Sequence, residues 1–165
     1  MGNLNGESLF MKWLARGPVE KRRLADAVIA IVVPVFEKAG FSSVKTDSYG
    51  RPQVNEMAME RCNDDGTVDI VSILFNKYRK PYFDVQVLRL VPPDYSHWAK
   101  NAHLVWMQDD DVRYKRWGPK WWQLDQAKAG KVVVERVRSL VPQLIDYLDD
   151  QKIGPNVRVW PTLRT

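Results

Sequence analysis

The sequence predicts an α+β fold: an antiparallel sheet of four to five strands with long helices packed on one face. Three observations carry this expectation. Residues 19–39 and 126–149 repeat their apolar positions at helical spacing. Between them, three strand-like segments follow one another through short turns, which favours an antiparallel meander. The turns themselves carry punctuation, with Asn63-Asp64-Asp65-Gly66 after the first strand and an Asn-Lys-Tyr-Arg-Lys-Pro run at 76–81 after the second. The chain has 165 residues, the size of a single domain. Residues 1–18 are expected to form a loosely packed N-terminal extension of it.

Residues 8–16 suit a short helix, and Gly17-Pro18 breaks it, with Pro18 placed for the first turn of the next. That helix runs over 19–39, stops at Gly40, and is kinked or split by Pro34. Residues 42–52 read as a loop. The first strand, 53–62, places Met57 and Met59 on one face and Glu56 and Glu60 on the other. Residues 67–75 are apolar on both faces and read as a central strand. In the third strand, 82–91, Phe83, Val85 and Val87 face the helices, and Tyr82, Asp84 and Gln86 face away. Pro92-Pro93 ends it. Residues 94–102 carry no clear pattern, while 103–107 and 112–117 suit a second hairpin across Gln108-Asp109-Asp110-Asp111. In the last helix Val134, Val137, Val141, Leu144, Ile145 and Leu148 form the apolar stripe, with Pro142 inside it. Residues 156–160 suit an edge strand.

Composition narrows the function. The longest apolar run, 27–36, is shorter than the ~20 residues of a membrane span, so no membrane partner is expected. A lone cysteine, Cys62, excludes an internal disulfide and fits a reducing compartment, so the expected location is the cytoplasm. The formal net charge of +5 favours anionic partners only weakly. No phosphate loop, dinucleotide fingerprint or serine elbow is present. His97 and His103 have no metal-ligand spacing with Cys or acidic residues, and Asp109-Asp110-Asp111 lacks converging oxygens. No metal, cofactor or catalytic residue is therefore assigned. Cys62 reads as a semi-buried small hydrophobe, and Glu56 and Glu60 as solvent-facing.

Several segments resemble those of the bacterial domain-of-unknown-function 4304 family: Glu37-Lys38-Ala39-Gly40-Phe41, the run 73–87, the run 114–125 and the run 147–160. The run at 73–87, a strand followed by the Asn-Lys-Tyr-Arg-Lys-Pro turn and an aromatic strand, is the most specific. The resemblance implies an α+β fold and a bacterial source. It implies no activity, substrate or cofactor.

The stretch at 113–122 raises the sharpest question. Three tryptophans (Trp117, Trp121, Trp122) alternate with Arg113, Lys115, Arg116 and Lys120. Nucleic acid is one partner that such a basic and aromatic mixture suits. Three aspartates just before it leave a local excess of only one positive charge over 109–120, which argues against a phosphate-binding stripe. The tryptophans are therefore expected to close the core, Trp122 among them as a largely buried ring. Lys21-Arg22-Arg23 reads as a solvated helix face, and Lys77, Arg79 and Lys80 as a turn tip. The leading functional expectation is a non-catalytic binding or interaction module, of immunity or regulatory type, that occupies a partner protein. Nucleic-acid binding through 113–122 is the alternative. The candidate binding groove is Tyr82, Asp84, Arg113 and Trp117, on the face of the sheet turned away from the helices.

Overall fold

A computed structural model describes residues 9–44, 54–78, 80–93, 97–106, 116–120, 122–150 and 152–160. Four helices and six strands follow in the order α1 (Leu9–Ala15), α2 (Val19–Ile31), α3 (Val33–Lys38), β1 (Ser42–Val44), β2 (Glu56–Cys62), β3 (Val68–Phe75), β4 (Phe83–Val91), β5 (His97–Leu104), α4 (Gln126–Asp150) and β6 (Val157–Val159). The fold is α+β. The strands lie side by side in sequence order, and every pairing is antiparallel.

The sheet has six strands rather than the four to five expected. β1 lies in the stretch read as a loop and is too short to show a period. β5 begins at His97, inside the stretch without a pattern. The expected second hairpin falls largely on residues outside the described ones. Trp117, its last residue, pairs with Phe83 of β4 rather than with β5.

Pro34 divides the first long helical stretch, as its missing N–H and ring require. α2 ends at Ile31, Val32 forms the junction, and Val35 N–H reaches only as far back as the Val32 carbonyl, at 3.0 Å. Gly40 then terminates α3 at φ +89°, a conformation open to glycine. Pro142 leaves α4 unbroken. Both Pro142 and Arg138, whose carbonyl loses its donor, are exposed, so water can satisfy that oxygen.

The core joins the helices to one side of each strand. Lys21, Leu24, Ala25 and Val28 of α2 recur at helical spacing and are buried. Val134, Val137, Val141, Leu144 and Leu148 of α4 are all fully buried. They share one cluster with Met59, Val71, Ile73, Phe75, Val87, Ala102 and Leu104, and with Phe83 and Val85, as the alternation in β4 predicts. Phe10 and Leu14 belong to it as well, with the Phe10 and Phe75 rings 5.5 Å apart. α1 is thus part of the core, and the expected loose extension is not seen from residue 9 onward.

The other side of the sheet departs from the expected solvated surface. Ala58, Ile70, Ser72 and His103 are buried there, and Leu74, Leu88 and Leu90 are half-buried. Glu56 and Glu60 are half-buried on it, whereas Cys62 is exposed rather than semi-buried.

Within the helix layer, α2 with α3 runs in the same direction as α4. Glu20, Arg23 and Leu24 share a cleft with Gln126, Ala127 and Gly130 at one end. At the other end Arg61 bonds both the Ala39 carbonyl, just past α3, and Asp149 of α4.

Candidate functional site

Among the described residues, a row of charges and an exposed tryptophan-bearing turn lie at opposite ends of the parallel helices. The first is a row of charges across the sheet. Register makes Arg61, Asp69, Arg89 and Lys100 successive neighbours on β2, β3, β4 and β5. Asp69 is completely buried. It accepts Arg89 Nε and Nη2 at 2.6 and 2.8 Å and Arg61 Nη2 at 2.7 Å. Burial raises the Asp69 carboxyl pKa, but these bonds outweigh it and hold the group below the usual carboxylate value. Arg61 Nη2 also donates to Asp149 Oδ1 at 2.6 Å, and its guanidinium stacks over Phe41 at 4.7 Å. Lys100 Nζ donates to the Tyr147 and Leu148 carbonyls in the last turns of α4.

A depression of about 300 Å³ beside this row is lined by Asp65, Thr67, Arg89, Ala99, Lys100 and Tyr147. Burial raises the Tyr147 phenol, against a hydrogen bond from the Asn101 backbone, so it stays protonated at neutral pH. The charges here already close among themselves. Three cations, Arg61, Arg89 and Lys100, face three carboxylates, Asp65, Asp69 and Asp149, and the C-terminal ends of two helices add partial negative charge. The row is a clamp that ties α3 and α4 to the sheet, and it leaves no surplus charge for a ligand.

The second place lies in the tryptophan-rich stretch, whose rings the structure divides. Trp117 is fully buried. Its N–H and C=O both pair with Phe83 at 2.8 Å, and its Nε1 donates to the Leu104 carbonyl at 3.1 Å. The pairing puts its ring on the Phe83 side of the sheet, with Trp106 stacked on it at 4.6 Å. Gly118 makes this approach possible, because a Cβ there would run into the Pro81 carbonyl oxygen and lie 2.9 Å from Tyr82 Cα.

The expected binding groove is therefore not assembled as drawn. Tyr82 and Asp84 flank Phe83 and turn to the opposite side from Trp117. Arg113 lies outside the described residues. It is Arg116 that reaches Tyr82, with its guanidinium 5.1 Å from the ring centre, while Asn76 Nδ2 donates to the Tyr82 hydroxyl at 2.5 Å. The basic clusters also divide. Arg22 and Arg23 are exposed as expected, but Lys21 is buried. Its ammonium sits 3.4 Å from the Trp13 ring centre and donates to the Tyr78 carbonyl at 2.9 Å. Burial lowers its pKa. Lys77 and Lys80 are exposed, and Arg79 lies outside the described residues.

Trp122 corrects the second expectation for this stretch, being 59% exposed instead of buried, and Leu124 two residues on is fully exposed. They stand on a turn held by its own hydrogen bonds. Lys120 N–H donates to Gln123 Oε1 at 2.7 Å, and Gln126 Nε2 donates to the Lys120 and Gln123 carbonyls at 2.8 and 2.7 Å. Asp125 caps α4, accepting Lys128 N–H at 2.9 Å. A residue just before such a cap often folds back onto the fourth helical position as a hydrophobic staple. That position is Ala129, whose methyl offers little, and Leu124 points away. Beside the turn, Glu20, Arg23, Leu124, Asp125, Gln126 and Ala127 line a depression of about 300 Å³.

Sequence reasoning missed Leu124, Gln126 and Arg23 as members of this place. The cap signal at Asp125, with a leucine before it and a small residue at the staple position, was the readable hint. Among the described residues no group of three or more His, Cys, Asp or Glu side chains is placed to hold a metal, and no helix is long and apolar enough to cross a membrane. No family model, no curated protein and no solved structure matches the chain.

Proposed function

We propose that the protein is a non-catalytic module that binds another protein through the turn that carries Trp122 and Leu124. The observation that carries this reading is the presentation of Trp122 and Leu124. Both are large and apolar, they lie two residues apart, and the turn beneath them is braced by three hydrogen bonds and the Asp125 cap. Exposed apolar side chains scattered singly need no explanation. A tryptophan and a leucine held together on a preorganised turn fit an interface anchor, because little conformational freedom remains to be lost on binding. The adjoining depression gives a partner side chain somewhere to enter.

An immunity-type or regulatory role in a bacterial cytoplasm remains the specific form of this proposal. The family resemblance is proposed alongside it. Its segments fall on the end of α3, on β3 and β4, on the turn at 119–125 and on the end of α4 with β6. Nucleic-acid binding has less support than the sequence suggested, since the burial of Trp117 removes one of its stacking platforms.

The test uses a displayed library of random peptides selected on the immobilised protein and counter-selected on a Trp122→Ala/Leu124→Ala double variant. Peptides that bind the wild type and lose affinity at least ~30-fold on the double variant are expected, the size of a hot-spot loss. The two proteins should melt at the same temperature. Recovery of no peptide that distinguishes them would refute the proposal.

A further inference from the structure

The surroundings of the turn say what kind of partner it fits. Arg23, Lys120, Lys128 and Lys131 are all exposed around it, against two carboxylates, Glu20 and Asp125. Asp125 is already engaged as the cap of α4. Arg23, Lys128 and Lys131 form no ion pair with any described residue, and Lys120 lies over the Trp122 ring at 5.1 Å. This end of the molecule therefore carries an apolar centre within a rim that has an excess of two positive charges. The opposite end is balanced by the clamp. From this arrangement, and resting on the protein-binding reading above, we infer that the partner is an acidic protein segment whose apolar side chains seat around Trp122 and Leu124 while its carboxylates meet Arg23, Lys128 and Lys131.

Leu124 separates this partner from a nucleic acid. An aliphatic side chain offers no flat face for a base, whereas an apolar pocket on a protein receives it well. The carboxylates would act mainly on encounter and orientation, since rim charges are solvated. Their effect should be visible as salt dependence, because the Debye length shortens from about 10 Å at 0.1 M salt to about 3 Å at 1 M.

The same random-peptide selection tests the inference. Peptides dependent on Trp122 and Leu124 are expected to be enriched in Asp and Glu together with apolar residues. A synthetic copy should lose about tenfold in affinity when salt is raised from about 0.05 to 0.5 M, and about fivefold on an Arg23→Ser/Lys131→Ser variant that melts normally. Selected peptides that need Trp122 and Leu124 but show no acidic excess and no salt effect overturn the acidic partner and leave protein binding standing. Failure to select any such peptide removes protein binding itself. Two further measurements overturn the inference if positive: tight, salt-sensitive binding of a poly-dT strand abolished by Trp122→Ala, and self-association in sedimentation abolished by Leu124→Asp.

Discussion

Replacing Asp69 with Asn should cost about 3 kcal/mol, and the structure shows where that figure comes from. The carboxylate receives three hydrogen bonds from two guanidinium groups. An asparagine with its oxygen in the Oδ2 place keeps two of them and loses the Arg89 Nε bond, worth roughly 1.5–3 kcal/mol because a charged group takes part, and its NH2 then faces that donor. Arg61 keeps Asp149 and the Ala39 carbonyl, whereas Arg89 loses a charge partner for both of its bonds. Removing one member of a buried pair costs about 3–5 kcal/mol. Arg61 and Arg89 retain side-chain exposures of 15% and 16%, so water recovers part of this and the lower end applies. Urea unfolding at pH 7 should show the loss, and the melting midpoint should fall by about 6–12 °C. The pH dependence has a defined sign. The folded pKa of Asp69 lies below the usual value of 3.8, so its contribution is full above that value and disappears as pH falls through the folded pKa. The gap between wild type and Asp69→Asn should close only in that acid range. An Asp69→Leu/Arg89→Leu double variant should be more stable than Asp69→Asn, since no unpaired charge is left. A gap under 1 kcal/mol at pH 7, or one unchanged in strong acid, would show that the row is not a clamp.

Buried Trp117 and exposed Trp122 should behave oppositely: Trp117→Ala should lower stability by about 3–5 kcal/mol, and Trp122→Ala should stay within about 0.5 kcal/mol of wild type, both read by thermal unfolding. Gly118→Ala should destabilise more than Gly154→Ala, because the added methyl meets backbone at Pro81 and Tyr82 in the first case and the movable end of the Gln143 side chain in the second; equal midpoints would contradict the close approach at Gly118. Lys21→Met should cost about 1–2 kcal/mol through loss of the Tyr78 hydrogen bond and the contact with Trp13. It should also speed tryptic cleavage at Lys77, where the turn loses its tie to α2.

Features written in local pattern were readable in advance. The stripe of α4, the stop at Gly40, the split at Pro34 and the inward set Phe83, Val85 and Val87 each follow from spacing within one segment. What was not readable depends on which segments become neighbours. Trp117 and Trp122 look alike in sequence. Trp117 is buried because it pairs along β4 at Phe83, beyond the last register partner of β5 at Gln86. β5 was obscured because its inward Lys100 is a charged residue, and only the carbonyls of α4 make its burial tolerable. The charged row needs the register of four strands. Lys21 has the composition of a surface residue and is buried only because Trp13 and the Tyr78 carbonyl meet it.

The parallel packing of α2 against α4 has a consequence for synthesis. Strand order equals chain order, so each strand leaving the ribosome finds its neighbour already made. The helix layer does not share this advantage. Leu24 and Val28 emerge early, yet part of their cover, around Gly130 and Val134, is translated only after β5 is complete. Until then a nascent chain carries a nearly finished sheet with an apolar helix face still open. A ribosome stalled between residues 105 and 125 would display that face for the length of the pause, and a holdase would find its target in α2 together with the inward sides of β4 and β5 that α4 later covers.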